Sequence, residues 1–157
     1  MNQLLPRADD QVFGNVPLDV SVEGPDCPRL SDGDLRRLFP GSTLTGVRLN
    51  RLRNWPRLVV RLEGVPIALA TYTQIDGETQ IPDFAVDLPV RLKSTDGALR
   101  RRALYALLDA IELASVAGAC RRIVLIPSTD AIAVLERRGY AAVNEGCAGA
   151  WMEKALA

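Results

Sequence analysis

Three consecutive arginines, Arg100, Arg101 and Arg102, fall in the first turns of a helical stretch, where the helix macrodipole disfavours positive charge. Arginine's planar fork suits phosphate and carboxylate groups, so a bound anion would relieve the conflict. A solvated arginine face, weakly offset by Asp96 at the helix start, accounts for the same residues. Only Lys93 and Lys154 among the 19 basic residues are lysines, although with alanine so abundant GC-rich coding explains that bias as well. Histidine is absent altogether, which excludes His-based triads and every His-containing zinc or iron site. Cys27, Cys120 and Cys147 are odd in number and lack CxxC spacing, so no disulfide framework or zinc ribbon is indicated. Without a histidine partner, Cys120 and Cys147 read as buried structural thiols rather than nucleophiles.

Apolar residues make up 48% of the 157 residues, charged residues 24%, and the formal net charge is zero. That composition suits one soluble globular domain and neither a disordered chain nor a general nucleic-acid binder. The opening residues, Met1 to Arg7, lack the basic and apolar regions of a signal peptide. No uncharged apolar run approaches the roughly 20 residues of a membrane helix. A cytoplasmic protein, with no membrane, nucleic-acid or metal partner, is the expectation.

The elements that must position any site follow from periodicity and turn chemistry. Residues 1–30 read as an irregular N-terminal arm with at most one edge strand at Leu18–Val22, and residues 31–157 as a single domain. Ser31-Asp32-Gly33-Asp34 is a capping-box-like start for a short helix ended by Pro40-Gly41. From 44 to 88 the period becomes two, predicting an antiparallel meander. Its strands are Val47–Leu52, Val60–Glu63, Ile67–Tyr72 and Gln80–Leu88, with a hairpin turn at Asp76-Gly77. Pro82 inside the last of these predicts a bulge or an edge. Residues 96–118 return to the helical period with Leu104, Leu107, Leu108, Ile111 and Ala114 on one face. Ile123–Ile126 reads as a buried central strand. A second helix is predicted over Asp130–Arg138, capped by Ser128 or Thr129 and closed by Gly139, before a final hairpin that ends through Trp151-Met152-Glu153.

Two segments carry a family resemblance. Phe84-Ala85-Val86-Asp87-Leu88-Pro89-Val90 with the long helix after it resembles the fourth strand, phosphate loop and third helix of the GNAT N-acyltransferase superfamily. Ala131-Ile132-Ala133-Val134-Leu135-Glu136-Arg137-Arg138-Gly139-Tyr140 resembles that family's fourth-helix signature, which usually ends Tyr-Glu-Lys-Leu-Gly-Phe. The likeness spans about residues 57–155. It implies an α/β (α+β) fold with a mixed central sheet, antiparallel N-terminal strands, two packed helices and a C-terminal hairpin.

The resemblance further implies acetyl-CoA or another acyl-CoA as co-substrate, no metal, and acyl transfer to a small-molecule or protein amine by direct attack. The donor would lie between the fourth and fifth strands. The Val86 amide would polarise its thioester, and residues 93–98 would meet its diphosphate. Arg91, Lys93, Ser94, Thr95, Gly97, Ala98, Arg100, Arg101 and Arg102 are the cofactor-binding candidates. Asp83 is the candidate base, ahead of Glu78 and Asp87, and Tyr140 the candidate acid, ahead of Tyr105 and Tyr72. The family loop reads Gln/Arg-x-x-Gly-x-Gly/Ala, whereas Arg91 to Ala98 holds one glycine, and Leu135 stands where many members place a tyrosine. Those departures make a GNAT-like binding, sensor or interaction module the alternative. Trp151 reads as a packing residue or a homodimer contact.

Overall fold

The structure is a computed structural model that describes residues 17–89, 97–128, 131–143 and 151–156. Its centre is a seven-stranded sheet in the order β1-β2-β3-β4-β5-β7-β6. The strands are β1 (Asp19–Glu23), β2 (Arg57–Leu62), β3 (Val65–Ile75), β4 (Glu78–Val86), β5 (Arg122–Leu125), β6 (Ala141–Ala142) and β7 (Met152–Ala155). Every neighbouring pair is antiparallel except β4 with β5. Two tight turns build the meander. Glu63-Gly64 and Asp76-Gly77 all adopt positive φ, the backbone of a primed turn whose twist matches that of its strands.

Helices cover both faces. The helices α3 (Ala98–Ala117) and α4 (Ile132–Arg137) pack on one face, where Leu104, Leu107, Leu108 and Ile111 meet Leu58, Val60, Ile81 and Ile123. On the other face lie α1 (Asp32–Leu38) and α2 (Gly46–Asn54), whose Leu35, Leu38 and Leu52 close over Val59, Leu69 and Ala85. The α/β architecture expected from the sequence is therefore the observed one, including the C-terminal β6–β7 hairpin.

The α1 start behaves as its sequence implies, because the Ser31 hydroxyl accepts from the Asp34 amide. Val47–Leu52, by contrast, is helix and not strand. Thr45 accepts from the Arg48 amide as N-cap, Arg51 and Arg53 occupy the last turn, and Pro56 follows the end. Leu49 and Leu52, three apart, pack inward while Val47 is exposed, so an accidental period of two concealed a true period near 3.6. The α4 helix is also shorter than predicted. Ala131 is its N-cap and makes no side-chain cap bond, and Ser128 enters through its carbonyl, which accepts from the Ala131 amide. Gly139 does take the left-handed conformation that ends the helix, at φ 93°.

Candidate active site

Pro82 decides where a site can form. The β4–β5 ladder runs in parallel from Glu78–Arg122 to Ile81–Leu125, and its last bond is from the Ile126 amide to the Ile81 carbonyl. Pro82 has no N–H with which to continue. Opposite β3 the register shifts at the same level, between Thr71–Asp83 and Thr73–Gln80, leaving Ile81 and Pro82 across from Tyr72 alone. This is the expected bulge. Beyond it β4 follows β3 while β5 leaves the sheet, so the two strands part.

The gap opens into a cavity of about 300 Å³ lined by Leu38, Phe39, Pro40, Thr43, Arg48, Phe84, Ala85, Val86, Ile126, Pro127 and Ser128. Its walls are thus β4, the segment after β5, and the α1–α2 connection. The Asp87 amide bonds the Ile67 carbonyl, which makes Leu69–Ala85 and Thr71–Asp83 the hydrogen-bonded pairs of the β3–β4 ladder. Alternation then turns the main-chain groups of Phe84 and Val86 away from β3, towards the gap. The Val86 carbonyl accepts from Arg100 Nη1 at 2.5 Å. In the wall after β5, the buried Ser128 Oγ has no hydrogen-bond partner among the described residues. A buried hydroxyl left unsatisfied is costly, and a ligand would relieve it.

The helix after the gap starts at a glycine. Gly97 takes the left-handed conformation at φ 72° and offers no side chain to the first-turn amides of α3. Gly97, Ala98, Arg100, Arg101 and Arg102 form this start, with the Arg100 guanidinium reaching back to the end of β4. Arg91, Lys93, Ser94 and Thr95 lie outside the described residues.

Asp83 is fully buried and sits at the centre of an ion-pair cluster. Arg48 Nε donates to Oδ1, Arg51 Nε and Nη2 donate to Oδ2 and Oδ1, each at 2.8 Å, and the Thr71 hydroxyl donates at 2.5 Å. Burial disfavours its charge, but hydrogen bonds from Arg51, Thr71 and Arg48 outweigh that and hold the carboxyl below its ordinary range. Such a carboxylate is a poor proton acceptor, and its geometry serves to fasten α2 to the sheet. Sequence reasoning missed both arginines because it read their segment as a strand. The Thr45 cap and the three-residue spacing of Arg48 and Arg51 were the available signals.

Tyr140 is 2% exposed and belongs to the main core. Its hydroxyl donates to Glu112 Oε1 at 3.4 Å, and burial together with the Glu112 charge pushes its pKa well up. Glu112 also binds Arg138 and Lys154, at 2.7 and 2.9 Å. Neither Tyr140 nor Asp83 lines the cavity. Leu135 is wholly buried, as a packing residue would be. Glu78 pairs with Arg122 on the far side of the bulge. Among the described residues no group of three His, Cys, Asp or Glu could hold a metal, and no helix is long and apolar enough to cross a membrane.

With this geometry in view, the solved structures that match the chain form a consistent set. It is similar to Ard1 from Thermoplasma volcanium, with a TM-score of 0.61 and 16% identity over 89% of this chain and 98% of that one. A GNAT family acetyltransferase from Elizabethkingia anophelis, solved with acetyl-CoA bound, matches with a TM-score of 0.59 and 13% identity over 88% and 98%. An IAA acetyltransferase from Bacillus cereus matches with a TM-score of 0.56 and 10% identity over 89% and 100%. No protein-family model matches the sequence, and no curated protein does. The chain has the GNAT fold, in a divergent sequence.

Proposed function

We propose that the protein is an acyl-CoA-dependent N-acyltransferase in which an amine attacks the thioester directly. The observation that carries this reading is the parting of β4 and β5 beyond Ile81 and Leu125, with main-chain groups of Phe84 and Val86 turned into the gap. The acetyl-CoA seen in a neighbour of the same fold supports the choice of donor.

Acyl-CoA would supply an acyl carbon activated by a thiolate leaving group. The Val86 amide would donate to the thioester oxygen and stabilise the charge that develops there. Ser128 Oγ, which has no partner among the described residues, would gain one, and the N-terminal end of α3 would face an anionic group, with Arg100–Arg102 as cationic support. The amine nitrogen forms the new C–N bond, the C–S bond breaks, and the electron pair leaves on sulfur. The ammonium proton passes to water or to the departing thiolate. In this reading neither Asp83 nor Tyr140 moves a proton, and rate comes from orientation and the polarised carbonyl.

Isothermal titration with acetyl-CoA and with free CoA tests the proposal. Saturable binding followed by thiol release on adding an amine is the expected result. Absence of binding at millimolar ligand would leave only the architecture.

A further inference from the structure

We infer that the amine acceptor is an α-amine whose own molecule carries a carboxylate, gripped by Arg48. The inference rests on the transferase reading and deepens it.

Among the described residues, Arg48 is the only ionisable one lining the cavity, with no Asp, Glu or Lys beside it. Its guanidinium stands 4.8 Å from the centroid of Phe39, another wall residue. Nε is committed to Asp83 and Nη1 to the Thr43 carbonyl at 2.7 Å. Among the described residues Nη2 makes no hydrogen bond, although the side chain keeps 22% of its surface accessible. These contacts fix the fork in place and leave one edge to offer.

The charge of the cluster points the same way. Two guanidiniums, Arg48 and Arg51, share the single carboxylate of Asp83, so the unit is net positive. Arg51 is not in the wall, so the face presented to the cavity is that of Arg48. A dicationic polyamine or lysine-like acceptor would meet like charge there. A carboxylate would instead meet a pre-oriented, charge-assisted donor.

Proton chemistry supports the same choice. Among the described residues the lining holds no carboxylate to take a proton from an ammonium, which favours an amine that arrives neutral. Peptide α-amines deprotonate near about 7.7–8.0 and lysine near about 10.4, so around pH 8 roughly half of the former and under about one per cent of the latter are ready to attack. That advantage belongs to a peptide terminus, because the carboxylate beside the amine of a free amino acid makes that amine more basic. A cavity of about 300 Å³ suits an amino acid or one terminal residue, not a folded surface.

The test compares glutamate, a peptide beginning with Glu, glutamate α-amide γ-amide (both carboxylates neutralised) and putrescine. Each is assayed for acetyl transfer and titrated calorimetrically with and without acetyl-CoA. At least tenfold preference for a carboxylate-bearing amine over the diamide is expected, and the first two arms separate a free amino acid from a peptide terminus. R48M should erase that preference chiefly through KM. R51M removes a comparable share of the Asp83 cluster and should lower stability while the preference ratio persists. Equal handling of glutamate and its diamide, preference for putrescine, or no binding of any amine would overturn the inference. If acetyl-CoA binds in those cases, the transferase reading survives without it. If R48M and R51M alter the preference alike, Arg48 acts only through the fold, and its assignment as the grip fails.

Discussion

At the scale of single residues, the two side chains that looked most like proton carriers are held by neighbours far away in sequence. Tyr140 gives its hydroxyl to Glu112 through a long contact, inside the core. Y140F should therefore cost about 1 kcal/mol of stability and leave kcat within about twofold. A collapse of kcat with an unchanged fold would restore Tyr140 as the acid. Ser128 makes the opposite case. Its Oγ is buried without a partner among the described residues, so S128A should leave the melting temperature unchanged or raise it. Acyl-CoA affinity should fall about fivefold, close to the net worth of one hydrogen bond. Unchanged affinity in titration would mean that the hydroxyl faces no ligand.

At the scale of elements, the decisive feature is a strand that changes partners midway. β4 belongs to two ladders up to Ile81 and to one beyond it. P82T restores an N–H at the branch point and favours extension of the β4–β5 ladder, which would narrow the gap. Acyl-CoA binding should weaken about tenfold, or about 1.4 kcal/mol, with little loss of thermal stability. Full affinity in P82T would show that the gap is held open by packing on α1 and α2 rather than by the missing donor. The same scale holds the clearest failure of local reading. Val47–Leu52 alternates well enough for a strand, yet Thr45, Pro56 and the Asp83 cluster make it a helix. Tertiary contacts overrode a six-residue pattern, as they do when the pattern is short.

For the whole molecule, the ion pairs set the response to acid. Asp83, Glu23 and Glu112 are all held below their ordinary carboxylate range: burial opposes this in each, and arginine or lysine partners outweigh it. The sign is that of groups with depressed folded-state values. Their contribution is complete above the unfolded carboxylate range of about 4 and is lost as pH falls through the lower folded values. Urea melts should thus show stability steady from neutral pH to about 4.5 and then falling. D83N should be less stable at pH 7 by about 3 kcal/mol, because Arg48 and Arg51 lose a buried partner, and its acid limb should be shallower. Parallel limbs for wild type and D83N would place the acid sensitivity elsewhere.

What the sequence determined alone was what backbone chemistry dictates locally. Asp76-Gly77 and Gly64 mark turns because they tolerate positive φ, Pro82 marks a bulge because it lacks a donor, and the leucine spacing of α3 marks one buried face. With the Ala131–Tyr140 signature, those signals were enough for the fold. Only the tertiary structure decided which residues share a wall. Arg48 and Arg51 reach Asp83 across 35 and 32 residues, and the cavity joins Phe39, Val86 and Ser128 from three separate segments. Pairings at such separations depend on how elements stack and where strands part, and no local period or turn signal encodes either.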